Sequence, residues 1–298
     1  MHTAADSLNV VSCDGTRLAV RQTGDRSGAT IVLVHGYPDT STVWDPVFER
    51  LDAGFHLVAY DVRGAGASDI PRGLAAFDLQ RLTDDFLAVS EAVSPGRPVH
   101  LVGHDWGGIQ GWEFVTSPRC RGRIASFTTI AGPALSHGLR ANREPMRRGR
   151  LRDWWSHARR SWYILVLCVP GGPTFAWRVA MARGRWRRAL VELERLAVDD
   201  AYPAPSIVSD GRHGANLYRR NILPMIVRRT PPLAAAHAPV QLIIPDGDRF
   251  ISPSYYDAAR QAAPGLRSHT VTGSHWAPRA QPDRVAQLIT AFVSEQGT

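Results

Sequence analysis

One short segment constrains the fold of this 298-residue chain more than any other. The apolar run Val99–Val102 leads into Gly103-His104-Asp105-Trp106-Gly107, and a stretch of helical character follows. A sharp turn from strand to helix lifts one side chain above a sheet, and glycines two residues to either side leave room for that turn. The pattern predicts a nucleophile elbow whose reactive group is a carboxylate, that of Asp105.

The rest of the chain alternates strand-like segments, most of them continuously apolar, with segments of helical spacing. The predicted strands are Thr30–Val34, His56–Tyr60, Val99–Val102, Ile124–Ile130 and Val240–Ile244, after a hairpin of Leu8–Ser12 and Arg17–Arg21. The predicted helices are Val43–Leu51, Leu79–Val93, Gly107–Val115 and Val285–Val293. This alternation predicts an α/β fold with a mostly parallel, doubly wound sheet that is covered on both faces.

Residues 133–232 break the alternation, because they are rich in arginine and tryptophan and show mixed helical patterning. We therefore predict a helical cap at 133–232, inserted between two strands of a core that comprises 1–132 and 233–298. No internal repeat is visible in either part.

The positive charge of the chain is concentrated in this insertion. The formal net charge is +8, and all 35 basic residues are arginine. Between Gly132 and Pro232 there are 19 arginines against 7 acidic residues. A solvated basic surface explains this excess, and so does contact with an anionic membrane or an acidic partner. Nothing in the chain predicts a nucleic-acid-binding motif.

The cysteines and the N-terminus bear on the compartment. Cys13, Cys120 and Cys168 show no CxxC spacing, which argues against a zinc site or a disulfide framework and suits a reducing compartment. The first ten residues show no signal-peptide pattern. The apolar run Trp162–Val169 is far shorter than the roughly 20 residues of a membrane span. We predict a cytoplasmic location, with peripheral membrane association left open.

A carboxylate nucleophile narrows the chemistry. It is a poor agent for opening amides, but it attacks an sp³ carbon that bears a leaving group and forms an alkyl ester. Water must then hydrolyse the ester, which requires a general base and an oxyanion hole. The backbone N–H groups of Tyr37 and Trp106 are the predicted donors of that hole.

The base and its acidic partner are predicted from chain order. His275 lies in a loop just before the last predicted helix, where the third member of such a triad arrives. The acid should follow the strand Val240–Ile244, where both Asp246 and Asp248 are possible and Asp248 is favoured. Gly64-Ala65-Gly66 lacks the third glycine of a dinucleotide loop, so we predict no cofactor, and no metal-ligand spacing is present.

These segments together resemble the epoxide hydrolase and haloalkane dehalogenase branch of the α/β-hydrolase family over almost the whole chain. The matching segments are His35-Gly36-Tyr37-Pro38, Asp61–Ser68, Gly103–Gly108, Asp248 and Ser274-His275-Trp276. The similarity is greatest to actinobacterial epoxide hydrolases of the type sometimes fused to a short-chain dehydrogenase, although no second domain of that kind is expected within these 298 residues.

The branch divides by how the leaving group is stabilised. Dehalogenases hold a halide with the indole beside the nucleophile and an Asn that commonly follows His-Gly, where this chain has Tyr37. Epoxide hydrolases use two cap tyrosines. The first lies seven residues before Pro-Gly, which matches Tyr163, and the second lies in a Tyr-Arg-x-Asn-like stretch, which matches Tyr218.

The resemblance thus implies an epoxide hydrolase that converts a lipophilic epoxide to a vicinal diol. An Asp105 alkyl ester would form and would be hydrolysed by water that His275 activates. The substrate-contacting residues would be His35, Pro38, Trp106 and Trp276, in a monomer or homodimer. The alternatives are a haloalkane dehalogenase and a non-hydrolytic binding protein on the same fold. A serine esterase is disfavoured because no serine occupies the elbow.

Overall fold

Eight strands form a single sheet in a computed structural model that describes residues 6–51, 53–147, 151–227 and 234–297. The strands are β1 (Asp6–Val11), β2 (Arg17–Gly24), β3 (Thr30–Val34), β4 (His56–Tyr60), β5 (Val99–His104), β6 (Ile124–Ile130), β7 (Val240–Pro245) and β8 (Arg267–Val271). Their order is β1-β2-β4-β3-β5-β6-β7-β8. Strands β3 to β8 are mutually parallel, and β2 pairs antiparallel with β1 and β4. The predicted doubly wound, mostly parallel sheet is confirmed.

Eleven helices accompany the sheet within the described residues. They are α1 (Asp45–Phe48), α2 (Leu79–Val93), α3 (Trp106–Thr116), α4 (Leu135–Arg147), α5 (Leu151–Cys168), α6 (Gly172–Met181), α7 (Arg185–Glu192), α8 (Ile207–Val227), α9 (Ala259–Ala262), α10 (Ala277–Ala280) and α11 (Pro282–Glu295). Short 3₁₀ turns lie at Ser41–Trp44, Leu74–Phe77, Pro118–Cys120, Ala182–Gly184 and Pro253–Tyr256.

The central strands are buried on both faces, which is why their sequences are predominantly apolar. Every residue of β3, β4 and β5 is buried. Val32 and Val34 pack in one cluster with residues of α2 and α3, whereas Ile31 and Leu33 pack in another with residues of α1 and α11. Successive side chains of a strand point to opposite faces, so one strand contributes to both layers.

Two segments differ from the sequence prediction. The predicted helix Val43–Leu51 is a 3₁₀ turn followed by the four-residue helix α1, although its apolar side chains are buried as its spacing indicates. Pro46, at the start of α1, cannot donate a hydrogen bond into the preceding turn. Strand β8 was not predicted, because it is an edge strand in which only Val271 is buried.

Helices α4 to α8 lie between β6 and β7 in the chain, in the segment predicted to be a cap. The predicted boundary at 132/133 lies between the end of β6 and the start of α4. The boundary at 232/233 lies outside the described residues, and the division into core and cap stays a prediction. Among the described helices none is long and apolar enough alone to cross a membrane. One pair, Arg159–Cys168 with Gly172–Glu192, passes that test only jointly and is bent by 116°.

Candidate active site

Asp105 sits at a strained turn between β5 and α3. Its backbone has φ 51° and ψ −118°, a conformation that residues other than glycine rarely adopt. A Cβ at Gly103 would collide with the backbone of Gly107, and one at Gly107 would collide with the carbonyl group of Val34. The two glycines are therefore required by the close approach of the elbow to its surroundings. Strained backbone of this kind clusters at functional sites, and here it exposes the side chain of Asp105 above the sheet.

The two carboxylate oxygens of Asp105 have different surroundings. Oδ1 accepts a hydrogen bond of 2.8 Å from the backbone N–H of Tyr37. Oδ2 lies 3.5 Å from Nε2 of His275. Gly36 permits the first contact, because a side chain there would meet the Asp105 carboxylate. Among the hydrogen bonds of the described residues, none joins the N–H of Trp106 to Asp105, so in this state only the Tyr37 donor of the predicted oxyanion hole is engaged.

His275 is held by Asp248. Its Nδ1 lies 2.8 Å from Oδ2 of Asp248, whose Oδ1 accepts backbone hydrogen bonds from Phe250 (2.7 Å) and Ile251 (2.9 Å). Asp246, the other possible acid, is exposed and accepts a hydrogen bond from the backbone N–H of Gly273. The choice that the sequence left open therefore falls geometrically on Asp248.

Electrostatics in this group favour a charged histidine. Burial alone would lower the pKa of His275, but the carboxylates of Asp248 and Asp105 outweigh it and hold that pKa well above its usual range. Burial would likewise raise the pKa of Asp248. The charge of His275 and the two backbone donors outweigh burial, so the pKa of Asp248 lies below its usual value. In the resting arrangement an imidazolium thus lies between two carboxylates.

Two histidines of the motif loops orient backbone instead of facing the reactive group. His104 is fully buried, and its Nε2 contacts the carbonyl oxygen of His275 at 3.0 Å. Burial, aided by the charge of His275, lowers the pKa of His104 to about 4, so it is neutral and donates this bond. His35, predicted to contact substrate, instead accepts from the N–H of Val62 (2.8 Å) and lies outside the cavity beside Asp105.

Asp105 opens into an apolar cavity of about 210 Å³. Its lining includes the predicted residues Tyr37, Pro38, Asp105, Tyr163, Tyr218, His275 and Trp276. A second cavity, of about 80 Å³, shares Asp105, Tyr163, Tyr218 and Phe250 with the first and is also lined by Trp106. The two cavities therefore form two apolar arms that meet at the carboxylate.

Tyr163 of α5 and Tyr218 of α8 stand where the two arms meet. Their ring centroids are 6.1 Å apart, and the ring of Tyr218 also packs edge-on against Trp106 and Tyr37. Burial, reinforced by the nearby Tyr163 and by the charge of Asp105, raises the pKa of Tyr218 well above its usual value. Burial, reinforced by the charge of Asp105, also raises that of Tyr163. Both hydroxyl groups are therefore neutral donors facing the same space as the carboxylate.

The side chain of Tyr37 ties this loop to the inserted helices. Its hydroxyl donates to the carbonyl oxygen of Gly211 at 2.9 Å and accepts from the indole N–H of Trp177 at 2.8 Å. Gly211 lies on α8 and Trp177 on α6. The same residue thus contributes a backbone donor to Asp105 and a side-chain link to the helices that close the cavity.

Two further residues of the site were not predicted. Asp39 is 4% exposed and accepts from Trp276 Nε1 (2.7 Å) and Tyr202 Oη (3.0 Å). Burial raises its pKa to about 6, although both hydrogen bonds oppose the shift. The ring of Phe250 packs against that of His275, with centroids 5.1 Å apart. The only sequence signals were proximity, since Asp39 follows His35–Pro38 and Phe250 follows Asp248.

No group of three or more His, Cys, Asp or Glu side chains within the described ranges is arranged to hold a metal ion.

Comparison with known proteins places the chain in a family. The sequence model described as "Alpha/beta hydrolase family" matches residues 31–288. The chain belongs to the alpha/beta hydrolase family. This α/β hydrolase is 33% identical over 292 residues to "Probable oxidoreductase EphD" of Mycobacterium tuberculosis, which covers 95% of this chain and 48% of the relative. It is also 33% identical over 169 residues to "Epoxide hydrolase A" of the same organism, which covers 56% of this chain and 49% of the relative.

The fold of this α/β hydrolase matches that of solved structures. It superposes on the Bacillus megaterium epoxide hydrolase in complex with an inhibitor with a TM-score of 0.80 and 23% identity. The match covers 97% of this chain and 100% of the solved chain, and it concerns the fold. The chain spans about half the length of these two curated relatives.

Proposed function

We propose that this α/β hydrolase is an epoxide hydrolase that forms an alkyl ester on Asp105. One observation carries the proposal: an elbow carboxylate faces a His275–Asp248 pair and shares a cavity with the hydroxyl-bearing side chains of Tyr163 and Tyr218. The similarity to "Epoxide hydrolase A" supports it.

The first step opens the ring. Asp105 attacks an epoxide carbon through Oδ2, because Oδ1 is held by the N–H of Tyr37. The carbon–oxygen bond breaks, and the released oxygen takes a proton from Tyr163 or Tyr218. An alkoxide is a poor leaving group at neutral pH, and proton donation of this kind is typically worth about 10²–10⁴-fold in rate. The product is a hydroxyalkyl ester of Asp105.

The second step hydrolyses the ester. Ester formation removes the negative charge of Asp105, one of the two carboxylates that raise the pKa of His275. The pKa of His275 therefore falls when a base is needed. The imidazolium passes its proton to the tyrosinate that the first step left behind. The neutral imidazole can then take a proton from water. The hydroxide attacks Cγ of Asp105, and the oxyanion forms on Oδ1 beside the N–H of Tyr37. When this intermediate collapses, the bond between Cγ and Oδ2 breaks, and the departing alkoxide takes the proton of the new carboxyl group. The diol leaves with Oδ2, and the carboxylate of Asp105 is restored with an oxygen from water.

The cavity shape bears on the substrate. Both arms are lined mainly by apolar and aromatic side chains, including Leu167 and Trp186 in one and Ile109 and Leu135 in the other. Because the arms meet at Asp105, an epoxide within a longer lipophilic molecule can place one substituent in each. We propose lipophilic epoxides as the substrate class.

A single turnover in ¹⁸O-labelled water tests this function. Enzyme in excess converts styrene oxide, and mass analysis follows the diol and the Asp105 peptide. We expect unlabelled diol and label in Asp105, because the diol oxygen comes from the carboxylate and water restores it. Label that goes directly into the diol would contradict the ester mechanism. Halide released from haloalkanes, without epoxide turnover, would favour the dehalogenase alternative.

Removal of the tyrosine hydroxyls should slow ring opening. We expect Tyr163→Phe and Tyr218→Phe each to lower the rate of Asp105 alkylation by about 10²-fold, and the double variant to lower it further, because neutral proton donors are lost. Stopped-flow measurement of the first turnover gives this rate. Tyr60→Phe is the matched control, since it removes a buried hydroxyl on β4 that lines neither arm. Equal rates in all variants would exclude the tyrosines as acids.

We also propose that the arginine-rich insertion binds an anionic surface. Arg178, Arg183 and Arg185 are exposed and form no ion pair with any residue in the described ranges. Long-range attraction from unpaired charges of one sign raises the association of oppositely charged partners. The cytoplasmic location and the monomeric or homodimeric state stay predictions.

A further inference from the structure

The outer side of α5 carries large apolar side chains in solvent-exposed positions. Trp155 is 60% exposed, Trp162 63% and Leu165 64%. Val169, just after the helix, is 55% exposed. Together with the exposed Arg159, these residues recur at every third or fourth position, so they lie along one side of the helix. A helix side that faces water normally carries polar residues at such positions.

Helix α6 follows α5 in the chain and carries further exposed apolar side chains. Phe175 is 68% exposed and Val179, one turn later, is 39% exposed. The two helices meet at the turn Val169–Gly171, where the N–H of Gly172 donates to the carbonyl oxygen of Val169 at 3.0 Å. We use the term apolar face for this set of side chains: Trp155, Trp162, Leu165, Val169, Phe175 and Val179.

Guanidinium groups flank the apolar face. Arg159 and Arg178 are exposed on the same two helices, and Arg185 begins α7. Arg187 and Arg188 of α7 are also exposed, and they donate to the backbone carbonyl oxygens of Asp199 and Arg183. The surface therefore combines exposed tryptophan, phenylalanine and aliphatic side chains with an excess of positive charge.

The geometry points to an anionic lipid bilayer as the surface that covers the apolar face. Exposed contiguous apolar surface marks an interaction site. An acidic protein would offer carboxylates to the guanidinium groups but no apolar layer. In a bilayer the lipid phosphates that pair with guanidinium groups lie directly beside acyl chains, into which Trp162 and Phe175 can insert. Interfacial helices combine arginine with Trp, Phe and Leu in this way, and Trp is enriched at the membrane–water boundary.

Docking by this face would place the cavity wall at the membrane. Ala176 and Ala180 of α6 line the arm of about 210 Å³, and each directly follows an exposed residue of the apolar face, Phe175 or Val179. One short helix thus separates the cavity from the docked surface. A lipophilic epoxide dissolved in the bilayer would then reach Asp105 with little exposure to water. This consequence rests on the proposed epoxide hydrolysis, whereas docking itself does not.

Vesicle flotation of the full chain without any epoxide tests the docking. The vesicles are phosphatidylcholine alone or with about 30% phosphatidylglycerol, whose charge attracts basic segments. We expect binding only to the anionic vesicles, weakened by salt because Coulomb attraction is screened. The double variant W162Q/F175Q should bind at least about tenfold more weakly, since it removes two large apolar side chains. R178E/R185E should weaken binding similarly.

The controls change comparable side chains outside the insertion. I70Q/L74Q replaces apolar residues that are 49% and 43% exposed, and R72E reverses an exposed charge, so both should bind as the unmodified chain does. Circular dichroism and thermal melting identify any variant that misfolds, in which case the other double variant decides.

Several outcomes would overturn the docking. They are equal binding to both vesicle types, no binding to either, and full binding by W162Q/F175Q and R178E/R185E. Polyglutamate binding that W162Q/F175Q leaves intact, without vesicle binding, would indicate an acidic protein partner instead. A dimer in sedimentation that this variant dissociates, again without vesicle binding, would indicate self-association. Anionic vesicle binding by a chain that does not turn over styrene oxide would uphold docking and count against the proposed reaction.

Discussion

Asp105→Ala should abolish epoxide turnover, with a loss of at least about 10⁴-fold in kcat, as is typical when the nucleophile of a triad is removed. The variant lacks the atom that forms the bond to the epoxide carbon. The remaining groups, including Tyr163, Tyr218 and the N–H of Tyr37, can bind and polarise the epoxide but cannot form the ester. Initial-rate measurement of diol formation checks this, together with intact-protein mass analysis for the absence of an adduct.

The fold should survive this substitution. Asp105 contributes one accepted hydrogen bond and an ion pair with His275, which keeps its other partner Asp248, while the turn itself depends on Gly103 and Gly107. Asp246→Ala is the matched control, because Asp246 is an exposed carboxylate in the loop that follows β7. It should retain activity close to that of the unmodified enzyme. Substantial turnover by Asp105→Ala would mean that water attacks the epoxide directly and that the proposed nucleophile is wrong.

His275→Gln should separate the two steps and trap the ester. Asp105 would still attack, because its Oδ2 and the tyrosines are unchanged, but glutamine cannot take a proton from water. We expect ester hydrolysis to slow by about 10³–10⁴-fold, in the range of lost general-base catalysis and triad contributions. Mass spectrometry should then show an adduct equal to the mass of the whole epoxide, since ring opening releases no leaving group. Digestion should locate this adduct on the Asp105 peptide.

His269→Gln serves as the control for this trap. His269 lies on the edge strand β8, away from Asp105, and its loss should leave turnover and the free enzyme mass unchanged. If His275→Gln neither accumulates the adduct nor slows diol formation, the base is another group. If it fails to alkylate at all, the positive charge of His275 is needed in the first step, and the proposed division of roles would have to be revised.

The strands and the elbow could be predicted from the sequence because each depends on residues that are near neighbours in the chain. Strands β3 to β5 are buried throughout, and β6 and β7 are buried at all but one residue each, so each could be recognised without its partners. The elbow was equally local, because the requirement for Gly103 and Gly107 arises from one tight turn. By contrast, β8 pairs along one edge only and exposes most of its side chains, so its sequence carries no comparable pattern.

Tertiary structure decided what depends on groups from distant parts of the chain. The sequence favoured Asp248 but left Asp246 possible, and the path of the loop after β7 is what brings Asp248 within 2.8 Å of His275. His35 belongs to the matching motif, yet its ring accepts a hydrogen bond from the backbone N–H of Val62 and does not line the cavity beside Asp105.

The cavity was decided in the same way. Tyr163 and Tyr218 were predicted individually from flanking motifs, whereas their meeting over Asp105 is produced by the packing of α5 against α8. The buried carboxylate of Asp39, with its partners Trp276 and Tyr202, was not predicted for a related reason. Local sequence determines backbone conformation and burial pattern, but which side chains share a cavity is set by the packing of elements far apart in the chain, and no local pattern encodes it.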